Sequence, residues 1–260
     1  MRLINRNLLT HLSNLLRGQP RLPPSNLRVH VNGREDLRLF LNSGNSVQTQ
    51  MKQALQSVAG KQLAEFDRIL DFGVGCGRLE RWFGPEILAK LSGVDVSADA
   101  IGFCQKNLKG QYQAISTEPP LPFDANSFDL VISFSVFSHM DIDTATPWIE
   151  ELARVVRTGG ILLITTHMDW CAQNLLSQEE LLEYEQQGWC GIPYRAAGSH
   201  HAEYINAYYS EAVWKSLWQP GFEFLGLGYG RDANEFSQGA QDQSGALLPM
   251  GQALSILRKI

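Results

Sequence analysis

A chain of 260 residues is long enough for one large domain, or one domain with an attached cap. Its 44% hydrophobic and 19% charged residues supply a real core, and 22 basic against 27 acidic residues, net −5, exclude a globally basic nucleic-acid module. Four cysteines without a C-x-x-C pair exclude a disulfide scaffold and a cysteine-rich zinc site, and no apolar run reaches the ~18 residues of a membrane span.

The expectation is a soluble cytoplasmic protein, a monomer or homodimer, with no nucleic-acid partner and no stable membrane insertion. Charge is uneven along it. Six arginines (Arg2, Arg6, Arg17, Arg21, Arg28, Arg34) precede the first acid, Glu35, so residues 1–34 carry +6 and the remainder −11. Ile4, Leu8, Leu12 and Leu15 recur at helical spacing, with Leu9 and Leu16 widening the stripe. Such a segment suits a lid or packing helix, a helix on anionic membrane, or a targeting peptide; a packed amphipathic face is the common case. Pro20, Pro23 and Pro24 end it and make an extended connector. Residues 1–45 therefore read as a basic helix with its connector, and 46–260 as the main domain. A helix is expected over 46–64, with Val47, Met51, Leu55 and Val58 on one face.

From 68 onward, short apolar runs alternate with amphipathic stretches, the pattern of a parallel βαβ sheet. Strands are expected at 68–72, 91–96, 112–115, 128–134 and 161–166, with helices near 78–90, 98–108 and 144–157 between them. The last helix, with Trp148, Leu152, Val155 and Val156 on one face, should stop at Gly159-Gly160. Residues 167–221 read as helices and loops forming a cap. They hold nine of the thirteen Trp and Tyr residues and no Phe, a composition suited to a partly wet pocket. Tyr194, His200 and Tyr204 are the candidates there to touch an acceptor, whereas Trp214 and Trp218, at i,i+4, suit plain core packing. Late strands at 222–229 and 253–258 enclose an aperiodic stretch, 231–252, that reads as a long loop.

The strongest chemical signal is Asp71-x-Gly73-x-Gly75-x-Gly77, placed where a strand should turn into a helix. Glycines there let backbone approach a ligand closely. The dinucleotide pattern would need glycine at 78, where Arg78 stands. A second acid, Asp95, ends the next strand, where a carboxylate can accept both hydroxyls of a ribose. Glycines and acids together point to a ribose-bearing ligand.

At these residues the sequence resembles the class I S-adenosylmethionine-dependent methyltransferases. Leu121-Pro122-Phe123, Ser127-Phe128-Asp129-Leu130-Val131 and Arg154-Val155-Val156-Arg157-Thr158-Gly159-Gly160 resemble later segments of that family, with Thr158 in place of the usual proline. The resemblance implies a Rossmann-like doubly wound α/β sheet in the order 3-2-1-4-5-7-6, its last strand antiparallel, and S-adenosylmethionine as cofactor with S-adenosylhomocysteine as product. It implies cofactor contacts from Asp71, Gly73, Gly75, Gly77, Asp95, Val96 and Ser133. The family often has an aspartate near the end of the third strand for the adenine; here Ser116 or Thr117, or a shifted Glu118, stands in its place. Pro23-Pro24, Phe40-Leu41 and Ser135-Val136-Phe137-Ser138-His139 look like a bacterial branch similar to small-molecule and glycan methyltransferases.

Methyl transfer to a weakly acidic hydroxyl or amine benefits from a nearby base, placed at the carboxyl ends of strands four and five. His139 follows the fourth strand and His167 the fifth, and these are the catalytic candidates. Neither belongs to an H-x-E or H-x-x-x-H pattern, so no metal is expected. The expected acceptor is a small molecule or glycan, methylated on oxygen before nitrogen. The alternative is a non-catalytic cofactor-binding scaffold of the same fold.

Overall fold

The computed structural model describes residues 20–33, 35–193, 205–229 and 252–260. The basic stripe over 3–16, the candidates Tyr194, His200 and Tyr204, and nearly all of the 231–252 stretch lie outside the described residues.

Residues 25–32 are helical where an extended connector is expected. α1 (Ser25–Asn32) starts behind Pro24 and closes on left-handed Gly33, whose N–H donates to the Val29 carbonyl. α2 (Leu37–Ala54) starts well before residue 46 because the Asp36 carboxylate accepts from the N–H groups of Arg38 and Leu39. It runs across the 45/46 boundary, buries Phe40, Val47 and Met51 on one face, and ends in a π-helical turn, Leu55–Ala59.

β1 (Ile69–Phe72) leads into the glycine loop. The single helix expected over 78–90 is instead a 3-10 turn, Glu80–Trp82, followed by the one-turn α3 (Pro85–Leu88). Gly84 and Pro85 divide them, since proline favours the first helical position and cannot continue a helix from behind. Then come β2 (Leu91–Asp95), α4 (Ala98–Asn107), β3 (Gln111–Ala114), β4 (Phe128–Ser133), α5 (Ile142–Val155) and β5 (Val156–Thr166). β5 begins directly where α5 ends, so Gly159-Gly160 lies inside the strand. Phe128 pairs with Val156 and Leu130 with Ile161, and the residues between bulge out around Gly159 at φ 78°.

The cap contains α6 (Asp169–Leu175), α7 (Gln178–Gln187), β6 (Trp189–Pro193), β7 (Ile205–Tyr209) and α8 (Glu211–Trp218). β6 and β7 form an antiparallel pair, not among the expected elements. β8 (Phe222–Tyr229) and β9 (Ala253–Lys259) complete a seven-stranded sheet in the order β3-β2-β1-β4-β5-β9-β8. β9 runs antiparallel to both neighbours and the other neighbouring pairs are parallel, as expected.

Alternation along each strand divides the core into two layers. Ile69, Leu91, Leu130, Ile132 and Leu163 face the side covered by α2, while Leu70, Phe72, Val131, Leu162 and Ile164 face Trp148, Trp214 and Trp218. The Trp214 indole N–H donates to Ser255 Oγ at 2.8 Å, so its polar end is satisfied inside the core. Among the described residues no helix is long and apolar enough to cross a membrane.

Candidate cofactor and acceptor site

The glycine loop is folded back onto β2 by bonds from the N–H groups of Gly73 and Val74 to the Val94 carbonyl. Gly73, at φ 86°, has no room for a Cβ because the Val136 side chain occupies that space. Gly75, at φ 56°, would bring a Cβ to 2.8 Å from Val31 Cγ2 of α1. The loop is thus walled by the segment after β4 on one side and by α1 on another.

Asp95 holds this loop from the end of β2. Its Oδ2 accepts from Gly75 N–H at 2.7 Å and its Oδ1 from Ser97 N–H at 2.8 Å. A carboxylate has about four acceptor positions, so capacity remains on both oxygens for a pair of ribose hydroxyls. Next to it Val96 is 40% exposed, a bare apolar surface at the carboxyl edge of the sheet that suits a flat base. Ser116 and Thr117 are exposed beyond β3; Ser116 Oγ accepts from Glu118 N–H and the Thr117 carbonyl from the Trp148 indole. Ser133, ending β4, is fully buried, and its Oγ has no partner among the described residues. Glycine backbone, ribose acceptor and open apolar face fit S-adenosylmethionine.

Asp71 is buried and braces the loop from within. Burial, then the neighbouring Glu80 carboxylate, push its carboxyl well above the ordinary range. Burial favours the uncharged acid, so Asp71 is held protonated beside Glu80. Arg78, buried beside them, donates from Nη1 to Asn32 Oδ1 of α1 at 3.0 Å. Cys76 Sγ contacts the Leu27 carbonyl of the same helix. Glu80 has no sequence signal: in a helix expected over 78–90 it reads as a surface acid.

The two histidines differ. His139 lies in a short turn after β4, and its Nδ1–H donates to the Ile205 carbonyl at 2.8 Å, leaving Nε2 as the ring acceptor. Burial lowers its pKa, the Ile205 carbonyl works against that, and His30 of α1 lowers it further. His167 is fully buried, stacked on Tyr208 at 5.0 Å, with Nε2 facing Gln252 Nε2 at 3.3 Å. Burial pushes it down to about 3, with His139 adding to the effect. The Ala207 carbonyl favours a proton on the ring but lies outside good hydrogen-bond geometry, since Nδ1 has no partner at bonding distance among the described residues. His167 is therefore a neutral interior group, fully buried among the described residues.

Residues 70–164 match the family model of the methyltransferase domain. A stretch of 106 residues is 34% identical to the tRNA (carboxymethyluridine(34)-5-O)-methyltransferase of Arabidopsis thaliana, covering 40% of this chain and 24% of that protein. The chain thus spans about a quarter of the length of that curated relative. Among solved structures, an S-adenosylmethionine-dependent methyltransferase from Methanosarcina mazei superposes at a TM-score of 0.54 and 18% identity, covering 75% of this chain and 93% of that one. A 4+2 cyclase shares the fold at a TM-score of 0.51 and 15% identity, over 83% of this chain and 81% of its own. Residues 70–164 therefore match a methyltransferase domain, and they are set in a Rossmann-like seven-stranded sheet.

Proposed function

We propose that the protein is an S-adenosylmethionine-dependent enzyme that methylates a hydroxyl oxygen, and less readily an amine nitrogen, of a small molecule or glycan. The cofactor supplies the activated methyl group when bound. What the chain supplies is alignment and a proton acceptor. Gly73, Gly75 and Asp95 hold the cofactor's polar end and ribose, Val96 covers its base, and His139 takes the acceptor's proton at Nε2. The observation that carries this reading is the pinned, desolvated His139: its Nδ1–H is committed to the Ile205 carbonyl and burial keeps the ring neutral.

A second reading has the same chemistry on transfer RNA, and the 34% match to a tRNA methyltransferase favours it. The acidic balance of the chain, net −5, weighs against it. Incubation with radiolabelled S-adenosylmethionine and three acceptor panels (hydroxyl compounds and glycans, amines, bulk transfer RNA) separates the two. Label in the first panel, lost in His139→Ala, supports the small-molecule reading; label confined to RNA replaces it. Binding of S-adenosylhomocysteine with no transfer in any panel would favour the scaffold.

A further inference from the structure

Gln252 lies immediately before β9 and is 1% exposed. Its Oε1 accepts from Ser135 Oγ at 3.0 Å and from Thr165 Oγ1 at 2.9 Å. Its Nε2 donates to Ser138 Oγ at 3.1 Å and faces His167 Nε2 at 3.3 Å. A carboxamide has two acceptor positions and two donors, and all four are engaged. This one side chain therefore fastens the loop after β4 to the end of β5.

The fastened loop needs holding. Ser135 sits at φ 60°, a left-handed conformation that a residue with a Cβ keeps only where its surroundings impose it. Its N–H donates to Thr165 Oγ1 at 2.8 Å, so Gln252 and Thr165 grip both its backbone and its hydroxyl. The next residue, Val136, fills the space against Gly73, and His139 closes the turn three residues later.

We infer that Gln252 is a positioning residue of the cofactor site: by fixing Ser135 it sets Val136 against Gly73 and sets the turn that carries His139. The inference rests on the crevice being an S-adenosylmethionine site, so S-adenosylhomocysteine is the probe. Gln252→Met keeps length and bulk without donor or acceptor, whereas Gln252→Glu keeps the oxygen that serves Ser135 and Thr165. Calorimetry should show binding weakened about tenfold in Gln252→Met, the effect of roughly one to two lost hydrogen bonds, and largely restored in Gln252→Glu. Amide exchange over 135–139 should be faster in Gln252→Met alone. A space-filling role predicts wild-type affinity and exchange in Gln252→Met, and that result overturns the inference, as does an equal loss in both variants. If Gln252→Met does not fold, Ser135→Ala decides: weaker binding supports the route through Ser135, and unchanged binding overturns it. Failure of the wild-type protein to bind S-adenosylhomocysteine would instead remove the cofactor reading itself.

Discussion

Asp95 both shapes the glycine loop and offers the ribose its acceptors, so its removal should be felt twice. Asp95→Ala leaves the Gly75 and Ser97 N–H groups without their partner, and S-adenosylhomocysteine should bind more weakly by about 1.5–3 kcal/mol. Titration calorimetry checks this; unchanged affinity would remove Asp95 from the site. Gly73→Ala meets two obstacles, a positive φ and the Val136 side chain. It should cost about 1–3 kcal/mol of stability in urea unfolding and abolish cofactor binding as the loop shifts. Wild-type stability in that variant would show that Val136 yields easily. Residues of this kind were legible because their signal is local: three alternating glycines between two strand-ending acids. Glu80 and Gln252 were not, since burial gives each its meaning. The partners of Gln252 stand 85 to 117 positions away, and no spacing rule reaches across that distance.

α1 is the element whose role the sequence concealed most. Three prolines at 20–24 suggested an extended connector, yet Ser25–Asn32 is a helix with Val31 against Gly75, Asn32 on Arg78 and the Leu27 carbonyl on Cys76. It forms one wall of the candidate cofactor site beside the glycine loop. Arg28 within it is buried, with its guanidinium on the Pro23 and Glu35 carbonyls. Tryptic cleavage after Arg28 requires α1 to lift, so saturating S-adenosylhomocysteine should slow it severalfold, as read by mass spectrometry of the fragments. Equal rates with and without ligand would show that α1 does not respond to the cofactor. The β6–β7 pair escaped notice for a different reason: Gly191 and Pro193 are poor strand residues, and the aromatic Tyr208 and Tyr209 resemble pocket lining. β1 and β4, by contrast, announced themselves as apolar runs because both their faces are buried.

For the molecule as a whole, the buried titratable groups impose opposite pH dependences. An unfolded His167 takes a proton below its ordinary value of 6.5, while the folded ring stays neutral down to about 3. Acid therefore favours the unfolded chain, and stability should fall by up to about 1.4 kcal/mol per pH unit between those values from this group alone. Asp71 has the reverse sign: its carboxyl is raised, so its contribution is complete below the ordinary carboxylate range and is lost as pH rises through the folded value. The two slopes oppose each other above the ordinary carboxylate range, so the variants separate them: the urea midpoint of His167→Gln should fall less than that of wild type towards acid, and that of Asp71→Asn should fall less as pH rises. A His167→Gln midpoint with the same pH dependence as wild type from pH 4 to 7 would show that His167 is not the neutral interior group described above. The position of β9 has a consequence of another kind. β8 touches the sheet only through β9, and β9 pairs with β5 across a sequence separation of nearly a hundred residues. On a ribosome, five strands can assemble while the edge of β5 waits unpaired, an open template for any other extended chain until residues 253–259 emerge. A nascent chain stalled before that point should therefore aggregate or recruit a chaperone, and release should depend on the arrival of a single strand.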